Sequence, residues 1–286
     1  KPEYLKKREN IYFPEKWILI KLDETIKKTS NSLEKFYFNE ALNSLYDFFW
    51  HDFCDWYIEI SKVNQEEDYF KNKVIPVLLE VLITSLKLLH PFIPFITEEI
   101  YLNLKNIIEL ESESIVISKW PEYKNYYESE TVKKMENLKN IVISIRDMKS
   151  RFGIPEEKDI ECFYEGDIDE IEKLIIKKLA GIKEIKKFEE EKLSEKEFFV
   201  RHLITGRLGI SFKGIINILK EKEKKIKEIE KLKNVLSDIN KRLQNEEFLK
   251  KAPEEVIVKE KNKKKEIEEK IENIKKDIDF IEKRSE

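Results

Sequence analysis

The chain is poor in residues that punctuate structure, with six glycines, eight prolines, two cysteines and three histidines among 286 residues. So little glycine is ill suited to a loop fold that cradles phosphate, and so few turn formers argue against a sandwich of short strands. Cys54 and Cys162 lie far apart among apolar and aromatic neighbours, which gives poor support to a disulfide framework or a thiolate metal site. A reducing, cytoplasmic location is the expectation. His51, His90 and His202 are scattered, without a spacing such as His-x-x-x-His that would seat a metal on one helix face. No apolar run reaches the roughly 18 residues of a membrane span, and no charged-then-apolar leader opens the chain, so no membrane partner is expected. The first residue is Lys, which suggests a piece of a longer polypeptide.

What is abundant is charge, 40% of residues, together with Ile and Leu. The net charge of −3 conceals a division: residues 217–286 carry 21 basic and 18 acidic side chains, the rest 34 and 40. Attraction to a polyanion must therefore come from local clusters rather than from the overall field. Apolar spacing predicts four helices over 15–34, 39–62, 69–90 and 94–108, the material of a bundle. In the second, Leu42, Leu45, Tyr46, Phe49, Phe53, Trp56 and Ile60 form one stripe at spacings of three and four, expected to be buried. The third is apolar nearly all round, with Pro76 near its start as a kink or a first turn.

Beyond Trp120-Pro121 the pattern changes. A helix through Ile141, Ile145 and Met148, stopped by Gly153 and Pro155, precedes strand-like runs at 158–164, 196–204 and 207–212. An acidic helix at 167–180 separates the first two runs, and Thr205-Gly206 reads as a hairpin turn. In the last segment Ile229, Leu232, Leu236, Ile239 and Leu243 follow one seam, and Ile267, Ile271, Ile274, Ile278 and Ile281 another. Two such seams separated by a short break with Pro253 in a new first turn predict an antiparallel coiled-coil hairpin about 40 Å long. The fold class expected is mainly α: a helical bundle at 1–125, a small α+β domain at 126–215 and a coiled-coil arm at 216–286.

Three strings narrow this architecture. FNEALNSLYDFFWHDFCDWYIE at 38–59 resembles the second helix of the anticodon-binding domain of valyl-tRNA synthetases. LLHPFIPFITEEIY at 88–101 resembles a turn and helix of that domain shared with the isoleucyl and leucyl relatives, and NEEFLKKAPEEVI at 245–257 is similar to the tip of the valyl arm. Ser144 to Met148, Gly153 to Pro155 and Leu179 to Gly181 are similar to further landmarks, and Pro76 and Tyr101 depart from the commonest family residues. The resemblance implies tRNA recognition by the C-terminal part of a class I valine-tRNA ligase. The partners implied are valine tRNA and the catalytic and editing domains of the same polypeptide, in a monomer. ATP and Mg would belong to the parent enzyme, with no cofactor and no catalytic residue in this chain. Met148-Lys149-Ser150-Arg151 echoes a class I signature only by chance, since it ends a helix and has no histidine partner.

Valine codons begin GU, so the anticodon presents adenine in the middle and cytosine after it, read on unstacked bases by aromatic planes and short polar side chains. Lys35, Phe36, Phe38, Asn39 and Asn43 supply that mix at the start of the second helix, with Lys16 and Lys21 on the first for phosphate. Taken singly, each is better explained by core packing or a solvated face; taken together, the cluster favours contact with tRNA. Trp50, Trp56 and Tyr57 read as bundle core, and Asp52 and Asp55 as capping or ion-pairing groups rather than an acid/base pair. On the arm, Lys231, Lys233, Lys241, Arg242, Lys259, Lys261, Lys263, Lys264 and Lys265 are expected to make a basic strip for phosphate. The alternative is a structural module whose hairpin pairs with another coiled coil, which apolar residues on the hairpin's outer faces would favour.

Overall fold

The computed structural model describes residues 10–63, 66–125, 127–152, 154, 160–188, 198–211, 218–245 and 252–282, with backbone alone at 218–221 and 280–282. Gly153, Pro155, most of the arm tip and the side chain of Ile281 lie outside the described residues. The chain divides into two compact units, one made of residues 1–143 and 168–181, the other of 144–167 and 182–286.

The first unit is a bundle. Helix α1 (Phe13–Glu34) starts with Pro14 in its first turn, where the absent N–H costs nothing. Helix α2 runs as α-helix over Phe38–Tyr46, widens to a π-helix over Asp47–Tyr57 and closes as α-helix over Ile58–Ser61. The widening rotates the apolar face. The buried positions are Ala41, Leu45, Phe48, Phe53, Tyr57 and Ile60, whose one five-residue step falls inside the π segment. The stripe expected from a 3.6-residue period is thus split: Leu42 and Tyr46 face outward, while Leu45, Phe53 and Ile60 stay inside. Helix α3 repeats the device, with a short turn at Glu67–Tyr69, π geometry over Phe70–Val74 and α-helix over Ile75–Leu89. Pro76 sits just after the wide turn, and relaxed i→i−4 bonding there is how a helix tolerates an interior proline. Helix α4 is Pro94–Lys105, and a 3₁₀ turn at Ile115–Ile117 covers Ile83, Leu86 and Tyr101.

Helix α5 (Ser129–Arg151) spans the division between the units. Helix α6 (Glu170–Ala180) belongs to the first. Asp169 and Glu172 form a reciprocal cap at its start, with bonds of 2.8 and 2.9 Å, and Gly181 closes it at φ 59°, a conformation that favours glycine.

The second unit holds a four-stranded sheet in the order β2-β1-β4-β3, from β1 (Glu161–Tyr164), β2 (Glu184–Lys187), β3 (Phe198–Leu203) and β4 (Gly206–Ser211). β1 and β2 are parallel, and β3 and β4 form a hairpin in which Leu203 pairs with Gly206, so the two loop residues are Ile204 and Thr205. β2 escaped the sequence reading because Glu184-Ile185-Lys186-Lys187 buries only Ile185 and shows no alternation. The arm consists of α7 (Ile218–Gln244) and α8 (Glu254–Glu282). Ile229, Ile239, Ile267, Ile271 and Ile274 form its seam, flanked by Leu232, Leu236, Leu243 and Ile278. Cross-helix ion pairs Arg242–Glu260 at 3.2 Å and Lys270–Glu228 at 3.2 Å match high numbers on one helix with low on the other, which fixes the helices as antiparallel.

Candidate nucleic-acid interface

Three contacts orient the bundle. Glu15 near the start of α1 accepts from Tyr69 Oη at 2.8 Å and from Tyr57 Oη at 3.4 Å, and Tyr69 Oη in turn accepts from the Tyr12 N–H at 2.7 Å. The start of α1 therefore lies beside the end of α2 and the start of α3. By the same topology, the α1–α2 turn at 35–37 and the α3–α4 turn at 90–93 share the opposite end.

That end is unusually apolar for a surface. At the α1–α2 turn Phe36 is 77% exposed and Tyr37 and Phe38 are both 54% exposed. Phe36 occupies the left-handed region at φ 61°, the position at which a helix normally ends on glycine, and its N–H caps Leu33 while that of Tyr37 caps Ser32. A bulky residue there costs about 1–2 kcal/mol. The expense holds the Phe36 ring in solvent, 6.2 Å from Phe38 in an edge-to-face arrangement. At the other turn Ile93 and Ile96 are exposed and Phe95 is 92% exposed. His90 Nδ1 lies 2.8 Å from Thr97 Oγ1, which also bonds the Ile93 carbonyl at 2.9 Å, so this apolar turn is rigidly braced. Sequence reasoning quoted these residues as a landmark and missed them as surface; the signal was six successive residues, Pro91 to Ile96, without a charge.

Along α2 the exposed face continues as Phe38, Leu42, Tyr46 and Trp50, each four residues from the last, with Asn39 and Asn43 also exposed. Tyr46 and Trp50 lie nearly parallel, ring centres 6.4 Å apart and planes 7° from each other. The expectation that Trp50 is core is corrected by its 52% exposure: it continues the exposed row Phe38, Leu42, Tyr46 on the side of α2 opposite buried Ala41, Leu45 and Phe48. Tyr57 is fully buried as expected, and Trp56 is partly covered, with Lys139 Nζ 5.3 Å from its ring centre. Asp52 pairs with Lys139 at 2.9 Å, as an ion-pairing residue would, and Asp55 Oδ2 lies 3.1 Å from His51 Nδ1. Burial holds the Lys139 ammonium below its ordinary range, with Asp52 opposing.

The lysines are dispersed. Lys35 is exposed beside Phe36, whereas Lys16 and Lys21 lie back along α1, about 28 and 21 Å away at ~1.5 Å per residue. Lys16 pairs with Glu128 at 3.3 Å and Lys21 with Glu24 at 3.4 Å. On the arm, Lys231, Lys233, Lys241, Arg242, Lys259, Lys261, Lys263 and Lys265 are exposed and Lys264 is half-buried. Helical phase puts Lys259 and Lys263 about 40° apart on one flank of the α8 seam and sends Lys261 and Lys265 to the outer side. The nine cations surround the arm rather than lining one stripe. Several have acidic neighbours, among them Arg242 with Glu260 at 3.2 Å and Lys241 with Asp238 at 3.8 Å.

Residues 15–164 match the family model for the anticodon-binding domain of tRNA ligases, and residues 217–282 match that of the valyl-tRNA synthetase tRNA-binding arm. Among similar proteins are the valine-tRNA ligases of Thermotoga maritima, 37% identical over 87% of this chain, and Fervidobacterium nodosum, 34% identical over 88%. That of Bacillus subtilis is 32% identical over 85% of the chain. The aligned part spans about 28% of the length of each of these ligases. Bundle and arm together define a tRNA-recognition portion of an aminoacyl-tRNA ligase. Within that class, the chain belongs to the valyl-tRNA synthetase family.

Proposed function

We propose that this chain recognises valine tRNA at two places, reading anticodon bases at the bundle end and bracing the outer corner of the tRNA with the arm. The observation that carries this reading is the concentration of solvent-held aromatic rings at the turn 35–38, beside Asn39 and Asn43 and at the same end as Phe95. Unstacked bases gain about 1–3 kcal/mol each from such planes, and Asn amides match the adenine edge. Acylation of the tRNA with valine, with ATP and Mg, would fall to the remainder of a monomeric cytoplasmic ligase.

The test is equilibrium binding of the chain to valine tRNA at low and moderate salt, beside an anticodon-swapped tRNA and a chain lacking residues 217–286. Loss of affinity on the swap supports base reading, and loss on truncation supports the arm contact. Indifference to tRNA at low salt would sink the proposal. A second reading, a structural module, draws on Ile226, Val235, Val256 and Val258, which are exposed on the arm. It requires self-association or capture of a second coiled coil, visible as a mass above the monomer in sedimentation.

A further inference from the structure

At the root of the arm a buried ion pair lies against the apolar seam. Lys225 on α7 lies one seam step before Ile229, and Asp277 on α8 lies between Ile274 and Ile278; both are more than nine-tenths buried. Asp277 Oδ2 accepts from Lys225 Nζ at 3.0 Å. Its other oxygen accepts from Arg151, the last residue of α5, through Nε at 2.5 Å and also through Nη2. Both carboxylate oxygens are thus engaged by cations from two other helices. Aromatic rings back the cations: Arg151 lies 5.9 Å from the ring centre of Phe199 on β3, Lys225 5.9 Å from that of Phe152, and the two rings meet at 4.7 Å. One carboxylate thereby ties α5, β3, α7 and α8 together where the arm begins.

Buried ion pairs are a poor source of stability, because desolvation offsets most of the attraction, whereas a polar group in an apolar seam fixes register. Apolar side chains at 277 and 225 would fill the same space at lower desolvation cost and would leave the arm free to swing about its root. We infer that Asp277 is a positioning residue: it fixes the direction in which the arm leaves the sheet and so delivers the arm's cations to a set place on tRNA. The second half of this inference rests on the arm's role proposed above; the first does not.

The test uses the whole chain with Cys54→Ser and spin labels at Ile204→Cys, on the hairpin tip, and Ser237→Cys, on the arm. Cys162 is buried with its thiol pushed up to about 12, which keeps it out of the labelling. Pulsed EPR then reads the label-to-label distance distribution with and without Asp277→Asn. The expected result is a broadened distribution at unchanged helical content, with Asp277→Glu restoring it in part. Should Asp277→Asn fail to fold, Arg151→Gln removes one leg at a half-exposed position and leaves the Lys225–Asp277 pair intact. An unchanged distribution in the folded variants, with only a lower Tm, would overturn the inference. tRNA affinity should fall roughly 10-fold in the broadened variants, as tethered second contacts do when their geometry is lost. A broadened arm with unaltered affinity would leave the clasp standing and remove the arm's part in tRNA binding.

Discussion

Glu15 and Tyr69, 54 residues apart in sequence, meet in a 2.8 Å hydrogen bond that fastens the first helix of the bundle to the third. The carboxyl is almost wholly buried beside a cavity of about 110 Å³ lined by Tyr12, Ile60, Val74 and Leu174, among others. Burial pushes its pKa up to about 7 from 4.5, with the Tyr69 and Tyr57 hydroxyls opposing the rise. The raised value means that the folded state holds its proton more tightly than the unfolded chain. Glu15 therefore costs nothing below pH 4.5, where both states are protonated. The cost grows as pH rises towards 7 and is complete above it, on the order of 3 kcal/mol. Glu15→Gln should flatten this dependence. Denaturant titrations at pH 4 and pH 8 should find the variant about equal to the parent at the lower pH and more stable at the higher; equal stability at both would show that the carboxyl is not strained.

Phe36→Gly separates folding from binding by sign. Glycine adopts the left-handed conformation without steric cost, so Tm should rise, corresponding to about 1 kcal/mol. Affinity for valine tRNA should drop at the same time by about 1–3 kcal/mol, the worth of one stacked base. A gain in stability with unchanged affinity would mean that Phe36 touches no RNA.

Trp50→Ala and Tyr57→Ala form a contrasting pair on one helix. The exposed tryptophan should cost no more than about 0.5 kcal/mol in stability while weakening RNA binding. The buried tyrosine should cost about 3–5 kcal/mol through the cavity it leaves. Thermal melts beside filter binding distinguish them, and a large stability loss for Trp50→Ala would return that residue to the core.

Replacing Lys259, Lys261, Lys263 and Lys265 together by alanine should lower the salt dependence of tRNA affinity by about 0.7–0.9 for each phosphate contact removed. Because these cations sit on two sides of α8, only some of the four should contribute. A slope identical to that of the parent would place the phosphate contacts elsewhere.

The sequence alone determined the helices and the arm, because both depend on local periodicity. The seam residues Ile229, Ile239, Ile267, Ile271 and Ile274 were legible as a 3–4 repeat, and a short break before Pro253 leaves an antiparallel return as the simplest path. The strings at 38–59 and 245–257 likewise carried the family. Tertiary structure decided which faces meet water. In the π segment of α2 the buried row steps five residues from Phe48 to Phe53, which no 3.6-residue template anticipates, and Leu42, Tyr46 and Trp50 are left facing water. The partnership of Arg151 and Lys225 with Asp277 joins positions up to 126 residues apart. Such contacts are set by packing between distant segments, and local sequence pattern has no term for it.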